Sequence, residues 1–281
     1  MSVSAVLRKF RPPRGWRDFY HQIVIWFGFF FSYEFIRGIS DHSTRLAFSN
    51  AFIVIHFEQR LHSVFELELQ KAIGSGGVLV FLTSWTYWMS ELPLLAVTLF
   101  WVYFRRYKAF TRYRNWILLT NTIGLAIYAA VPMAPPWMFP GQGFENTLKQ
   151  IVTHQSGFVQ VVANDFAAMP SLHAADSLIV AVVMASVVRR RVFKVLWLLW
   201  PPWVWFSVMA TGNHYWVDVV AGIGVAIVAL AVLEAFYRYR ALRASKKQVR
   251  VAPGIPRTVG DPAVALDDVP VVGSGSTRPS G

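Results

Sequence analysis

His214 and Asp218 stand four positions apart in the run His214-Tyr215-Trp216-Val217-Asp218, a spacing that puts both on one face of a helix. Asp218 can then hold one imidazole nitrogen and leave the other for chemistry, the base-and-orienter arrangement of catalytic triads. A second histidine, His173, closes the run Pro170-Ser171-Leu172-His173. Pro170 suits a first helical turn and Asn213 suits an N-cap, so each histidine is expected at a helix N-terminus. Two such ends at one membrane face would offer amide N–H groups and positive dipole ends to an anion, and a phosphate between His173 and His214 would be in reach of both. The alternative is a pair of buried, hydrogen-bonded histidines with an Asp partner. Ionisable groups close to a membrane are costly to place and are functional candidates by default.

The elements that must position these groups are apolar. The chain has 281 residues, 55% hydrophobic and 15% charged, well under the roughly 25% charged residues of ordinary soluble domains. Several runs reach or approach the roughly 20 apolar residues that cross a bilayer. The expected fold is all-α, a polytopic membrane protein with six transmembrane helices at residues 20–36, 78–104, 115–131, 171–188, 195–210 and 215–237. The second is interrupted by Glu91 and Pro93, and the fifth carries Pro201-Pro202; both are tolerable where neighbours re-satisfy the freed backbone. Residues 43–71 mix Phe52, Ile55, Leu61, Val64, Phe65 and Leu69 with Glu58, Gln59, Glu66 and Glu68, which reads as an amphipathic helix on the membrane or against the bundle. The expected organisation is a basic cytoplasmic N-terminus over 1–19, a six-helix membrane catalytic domain over 20–243 and a disordered cytoplasmic tail over 244–281. From about Ala252 the tail is rich in Gly, Pro, Ser and Val with no helical period.

The net charge of +12 does not point to nucleic acid, because the basic residues cluster between the apolar runs. Arg8, Lys9, Arg11, Arg14 and Arg17 precede the first span. Arg105, Arg106, Lys108, Arg112 and Arg114 follow the second, Arg189, Arg190, Arg191 and Lys194 the fourth, and Arg238, Arg240, Arg243, Lys246 and Lys247 the sixth. Six crossings put these four segments on one side, which the positive-inside rule makes cytoplasmic, with anionic lipids as their partners. Arg37, Arg45, Arg60 and Lys71, balanced by acids, are the exception. Both termini are then cytoplasmic and both histidines extracytoplasmic. The first apolar run lacks a small-residue cleavage site and reads as an uncleaved helix. With no cysteine, disulfides, Cys-ligated zinc and Cys nucleophiles are excluded.

Pro170-Ser171-Leu172-His173 and His214-Tyr215-Trp216-Val217-Asp218, in that order and on one membrane face, resemble the type-2 phosphatidic acid phosphatase superfamily. Together with Val131-Pro132-Met133-Ala134-Pro135-Pro136 they resemble its inositol phosphorylceramide synthase-like branch. The resemblance implies His214 as a nucleophile that forms a phosphohistidine, Asp218 as its orienter, and His173 as the group that protonates the leaving oxygen and then helps activate the acceptor. Two features depart from the superfamily. Its third motif has Ser-Arg seven and six residues before the nucleophile, where this chain has Ser207 and Val208. Its first motif is not found: Arg105 and Arg112 have the spacing, but Tyr113 follows and the expected topology puts them across the membrane.

The site expected on these grounds has His214, His173 and Asp218 as catalytic residues and Ser171, Asn213, Lys149 and Asp176 as substrate-binding residues, with no metal and no cofactor. Asp176 could brace His173 or match the helix dipole. Lys149, Arg60, Arg45 and Arg37 are the extracytoplasmic candidates for phosphate charge, and His154, Asn164 and Asp165 could meet a head group or be ordinary loop polar residues. The expected function is a lipid phosphatase or phosphotransferase acting on a lipid phosphoester or diphosphate, with a membrane lipid as substrate and an alcohol as a further acceptor. A catalytically degenerate lipid-binding or scaffolding protein is the rival reading, motivated by the missing Arg. A transporter is a third, for which Glu34 and Glu91 are thin evidence.

Overall fold

The structure is a computed structural model that describes residues 12–40, 44–139, 141–150 and 166–251. His154, Asn164, Asp165 and the tail after Val251 lie outside the described residues. The described residues are all-helical, with an isolated bridge between Met133 and Ala167 in place of any strand. Nine α-helices follow one another among them: α1 Gly15–Ser40, α2 Thr44–Arg60, α3 Glu66–Ile73, α4 Val78–Ser90, α5 Leu92–Arg105, α6 Tyr107–Ala130, α7 Leu172–Val187, α8 Arg191–Ala210 and α9 Trp216–Val251. The chain divides into two compact units, Met1–Phe236 and Tyr237–Gly281. In the second, the Arg243 guanidinium lies 4.7 Å over the Tyr239 ring.

Among the described residues, two helices, Arg191–Ala210 and Trp216–Lys246, are long and apolar enough to cross a membrane, or three if the bent pair α4–α5 is one span. The bend is 50° and falls at Glu91 and Pro93, where proline removes one helical hydrogen bond and its ring clashes with the preceding turn. Leu172–Val187 is apolar but shorter. The outward residues of these helices are large and apolar, for example Leu196 and Leu199 on α8 and Ile227 and Val232 on α9. Such a surface suits hydrocarbon rather than water, and the protein is a membrane protein.

The core of the first unit joins α5, α6, α7 and α9 around Tyr113, Ile117, Leu172, Ile179 and Val180. Polar tips inside it find partners across helices, as buried donors must. Thr98 Oγ1 meets Tyr113 Oη at 2.7 Å, and Trp116 Nε1 donates to Ala226 O at 2.7 Å.

The region between the first two expected spans differs from expectation. It forms two helices, α2 and α3, rather than one, and its acids do not form a solvated face. Glu58 and Glu66 are fully buried. The outward side chains include Phe52, Ile53, Phe57, Leu61 and Phe65, each more than 40% exposed. Two of the acids thus turn inward beside the buried Ala47, Ala51, Val54 and Ile55, while Glu68 stays exposed and a second set of large apolar side chains faces outward, as suits lipid surroundings.

Candidate active site

The site is assembled where the start of α7 meets the start of α9. Ser171 caps α7, its hydroxyl accepting from Ala174 N at 3.3 Å, and Ser171 N donates to Asp218 O at 2.9 Å. That main-chain bond ties the turn bearing His173 to the turn bearing His214. Two glycines permit the approach. A Cβ at Gly124 on α6 would meet Leu172 Cδ2 at 2.6 Å, and one at Gly222, a helical turn beyond Asp218, would collide with the Ser171 carbonyl oxygen. The rings of His173 and His214 consequently lie 5.6 Å apart at 61°.

His214 Nδ1 lies 2.8 Å from Ala168 O and 3.5 Å from Asp218 Oδ2. A carbonyl oxygen only accepts, so Nδ1 carries the proton, and in the neutral ring Nε2 holds the lone pair. Asp218 contributes charge behind the ring and accepts from Tyr215 N at 2.9 Å. Ala168 is itself held in place: Met133 N donates to Phe166 O at 2.7 Å and Ala168 N to Met133 O at 3.3 Å. Asn50 Nδ2 donates to Pro132 O at 2.8 Å. The Pro-rich run 131–136 thus positions the carbonyl that orients His214.

His173 is set by α4. Its ring stacks on Tyr87 at 4.2 Å, and its Nε2 lies 3.4 Å from Glu91 Oε2. Tyr87 lies in the last turn of α4, and Glu91 follows its end at the break before α5. Glu91 as a partner of His173 was not foreseen from sequence; the only signal was an acid at the break in an apolar run. Each histidine therefore has a carboxylate beside it.

The N-terminus of α9 also departs from expectation. Asn213 does not cap it, since the helix begins at Trp216 and Asn213 Nδ2 turns back to Thr211 O at 3.2 Å. The first amides are taken by buried acids: Trp216 N donates to Glu66 Oε1 at 2.7 Å and Val217 N to Glu58 Oε1 at 3.4 Å. This end is thus closed to an external phosphate. Burial, with Glu66 and then Asp218 adding like charge, pushes the Glu58 carboxyl up to about 9. Burial also raises Glu66, opposed by the amides that donate to it.

Asp176 is fully buried and its Oδ1 accepts from Asn121 Nδ2 of α6 at 3.0 Å, so it braces α6 against α7 rather than His173. Ser171 is spent on its cap. Lys149 sits in a short 3₁₀ turn, Thr147–Gln150. Val208, at the position of the superfamily's Arg, is fully buried in an apolar cluster with Ala174, Val204 and Val219, and its carbonyl accepts from the amides of Asn213 and His214.

The chain belongs to the PAP2 superfamily, whose family model matches residues 53–232. It is similar to the inositol phosphorylceramide synthase of Candida albicans, 29% identical over 143 residues, 45% of this chain and 29% of that protein. It is also similar to the phosphoinositol dihydroceramide synthase of Bacteroides thetaiotaomicron, 33% identical over 142 residues, 45% of this chain and 46% of that protein. The chain thus spans under half the length of these relatives. Among solved structures, the crystal structure of Aquifex aeolicus LpxE aligns with a TM-score of 0.45 and 15% identity, over 59% of this chain and 92% of that one.

Proposed function

We propose that the chain is a phosphotransferase that opens a phosphoester or diphosphate of a membrane lipid through a phosphohistidine on His214, and passes the phosphoryl-containing group to an alcohol or to water. The observation that carries this reading is the 2.8 Å contact of His214 Nδ1 with Ala168 O, which commits the proton to Nδ1 and the lone pair to Nε2. In the first step Nε2 attacks phosphorus, the bond to the leaving oxygen breaks, and His173 gives that oxygen a proton. In the second, His173 takes the proton of an acceptor hydroxyl, the acceptor oxygen attacks phosphorus, and the bond to His214 breaks. Splitting one displacement into two is the gain from covalent catalysis, and each proton transfer contributes roughly 10²–10⁴-fold.

The relatives named as inositol phosphorylceramide or phosphoinositol dihydroceramide synthases support transfer of a phosphorylated head group such as inositol phosphate. Physical chemistry supports it too. With Val208 in place of Arg there is no bidentate clamp there for a terminal phosphate, and Glu91 adds a carboxylate at His173. A phosphodiester, with less charge than a monoester, suits such a site. Lys149 is the sole Lys or Arg between 132 and 170 and is the proposed cation for phosphate. The distribution of basic residues supports six crossings, cytoplasmic termini and an extracytoplasmic site that receives lipid by lateral diffusion.

The test is a labelled phosphodiester lipid supplied to the purified protein with and without inositol or a lipid alcohol. Label captured by the acceptor, and lost in His214→Ala, is the expected result. Free phosphate from monoesters with no capture by any alcohol leaves a phosphatase. No turnover on any lipid phosphate leaves the lipid-binding or scaffolding role, to which Val208 gives motive.

A further inference from the structure

Remote from the histidines, α1 and α5 enclose a cleft of about 460 Å³, within the roughly 300–1,000 Å³ range of small-molecule sites. Its walls are Ile23, Trp26 and Phe30 of α1 and Leu95, Leu99 and Phe100 of α5. Gln22 is the one polar side chain among them, and it marks the end where Tyr103 and Phe110 also line the cleft. The catalytic end of α5 is the other one. Tyr103 lies twelve residues beyond Glu91, roughly 18 Å at 1.5 Å per residue.

The Gln22 end has a built polar cap. Asp18 accepts from Tyr103 Oη at 2.9 Å, Tyr107 Oη at 3.1 Å and Gln22 Nε2 at 3.3 Å. Its carboxylate is thus satisfied by neutral donors. Arg114 Nη1 donates to Gln22 Oε1 at 2.5 Å, and its Nη2 to Asn115 Oδ1 at 2.8 Å. The Arg14 guanidinium lies 4.9 Å over the Tyr107 ring. Neither Arg14 nor Arg114 has a carboxylate partner among the described residues. An apolar slot therefore runs into a cap with two guanidinium groups and one carboxylate already occupied.

We infer that this cleft is a binding site for a membrane phospholipid with an anionic head group, one acyl chain lying between α1 and α5 and the phosphate meeting Arg14 and Arg114. The apolar walls account for the chain, and the two guanidinium groups without a carboxylate partner account for the charge, since arginine forks match phosphate oxygens. The lipid is a resident of the fold and not the substrate, because its head group sits at the end of α5 away from His173. The inference is independent of the proposed reaction.

Native mass spectrometry of the full chain, released from nanodiscs of mixed anionic and zwitterionic phospholipid, tests it. The expected result is one retained phospholipid per chain, predominantly anionic. Ala96→Trp, which fills the cleft from α5, should abolish retention, and the milder Ala96→Leu should lower it at unchanged helical content. Arg14→Gln with Arg114→Gln should reduce the anionic preference by about tenfold or more, from the charge energy of two basic side chains at a membrane surface. His214→Ala should retain lipid as the wild type does. No retained lipid, equal retention of both head-group classes by the wild type, or undiminished retention in both Ala96 variants would overturn the inference.

Discussion

The nearest partner of His214 Nδ1 is the carbonyl oxygen of Ala168 at 2.8 Å, and the Asp218 carboxylate stands further off at 3.5 Å. Where an aspartate alone fixes a catalytic tautomer, its amide replacement costs about 10⁴-fold in rate, because the ring can flip its proton. Here the backbone holds the tautomer. Asp218→Asn is accordingly expected to lower turnover by about 10–100-fold, the usual cost of losing an orienting partner, while His214→Ala abolishes it. Single-turnover kinetics with a labelled lipid measures both; a loss in Asp218→Asn as complete as in His214→Ala would make the carboxylate the primary orienter.

Glu91 is expected to act through His173. Removing it should slow turnover by roughly the 10²–10⁴-fold that a positioned proton transfer contributes, or less. In a Glu91→Gln, His173→Ala double variant the cost should be little more than that of His173→Ala alone, because residues that act as a unit are not additive. Full additivity of Glu91 and His173 in a double-mutant cycle would show that the carboxylate serves something other than the imidazole.

The buried acid pair behind α9 gives a pH signature in stability. The Glu58 carboxyl is pushed up to about 9 from an ordinary 4.5, so the native state keeps its proton to higher pH than the unfolded chain. Stability from this group is complete below the unfolded value and falls as pH rises towards 9. Glu58→Gln, which cannot ionise, should match the wild type in thermal unfolding near pH 4.5 and exceed it near about pH 8. A variant that loses stability at the higher pH would mean that the charged form is the native one.

Topology can be read with cysteines, since the chain has none. Gly212 would be a poor choice, with a φ of 73° and Gln70 Nε2 2.9 Å from any added Cβ. Ser75 lies exposed in the turn between α3 and α4, and Arg190 lies exposed between α7 and α8. In intact cells an impermeant thiol reagent should label Ser75→Cys and not Arg190→Cys, and lysis should expose the second. The reverse pattern would put the histidines on the cytoplasmic side.

Much of this site is legible in the sequence because its logic is local. His214 and Asp218 are four positions apart, and Pro170 marks the helix start that carries His173. The long-range parts are not legible in that way. The residue that orients His214 is a backbone carbonyl at Ala168, which has no side-chain signature. Glu91 shows only as an acid at a helix break, because nothing local says that the break faces His173. Glu58 and Glu66 look like half of an ordinary amphipathic pattern. A helical period separates two faces but does not say which acids find partners inside, and here the neighbouring helix start offers bare amides to these two. The N-terminus of α9, open to an anion on paper, is filled by those same two carboxylates.

Gly222 meets the Ser171 carbonyl oxygen with no room for a side chain. The clearance between the proposed nucleophile and the proposed proton relay is therefore metered by an absent methyl. The spacing of the two histidines belongs to a helix crossing, not to the histidines, and nothing in the reaction zone can retune it. A single carbon added at Gly222, outside any conceivable contact with lipid, should wedge α9 from α7 and spread the imidazoles. The enzyme would still insert, bind and look intact, with a reach too wide for phosphorus to bridge.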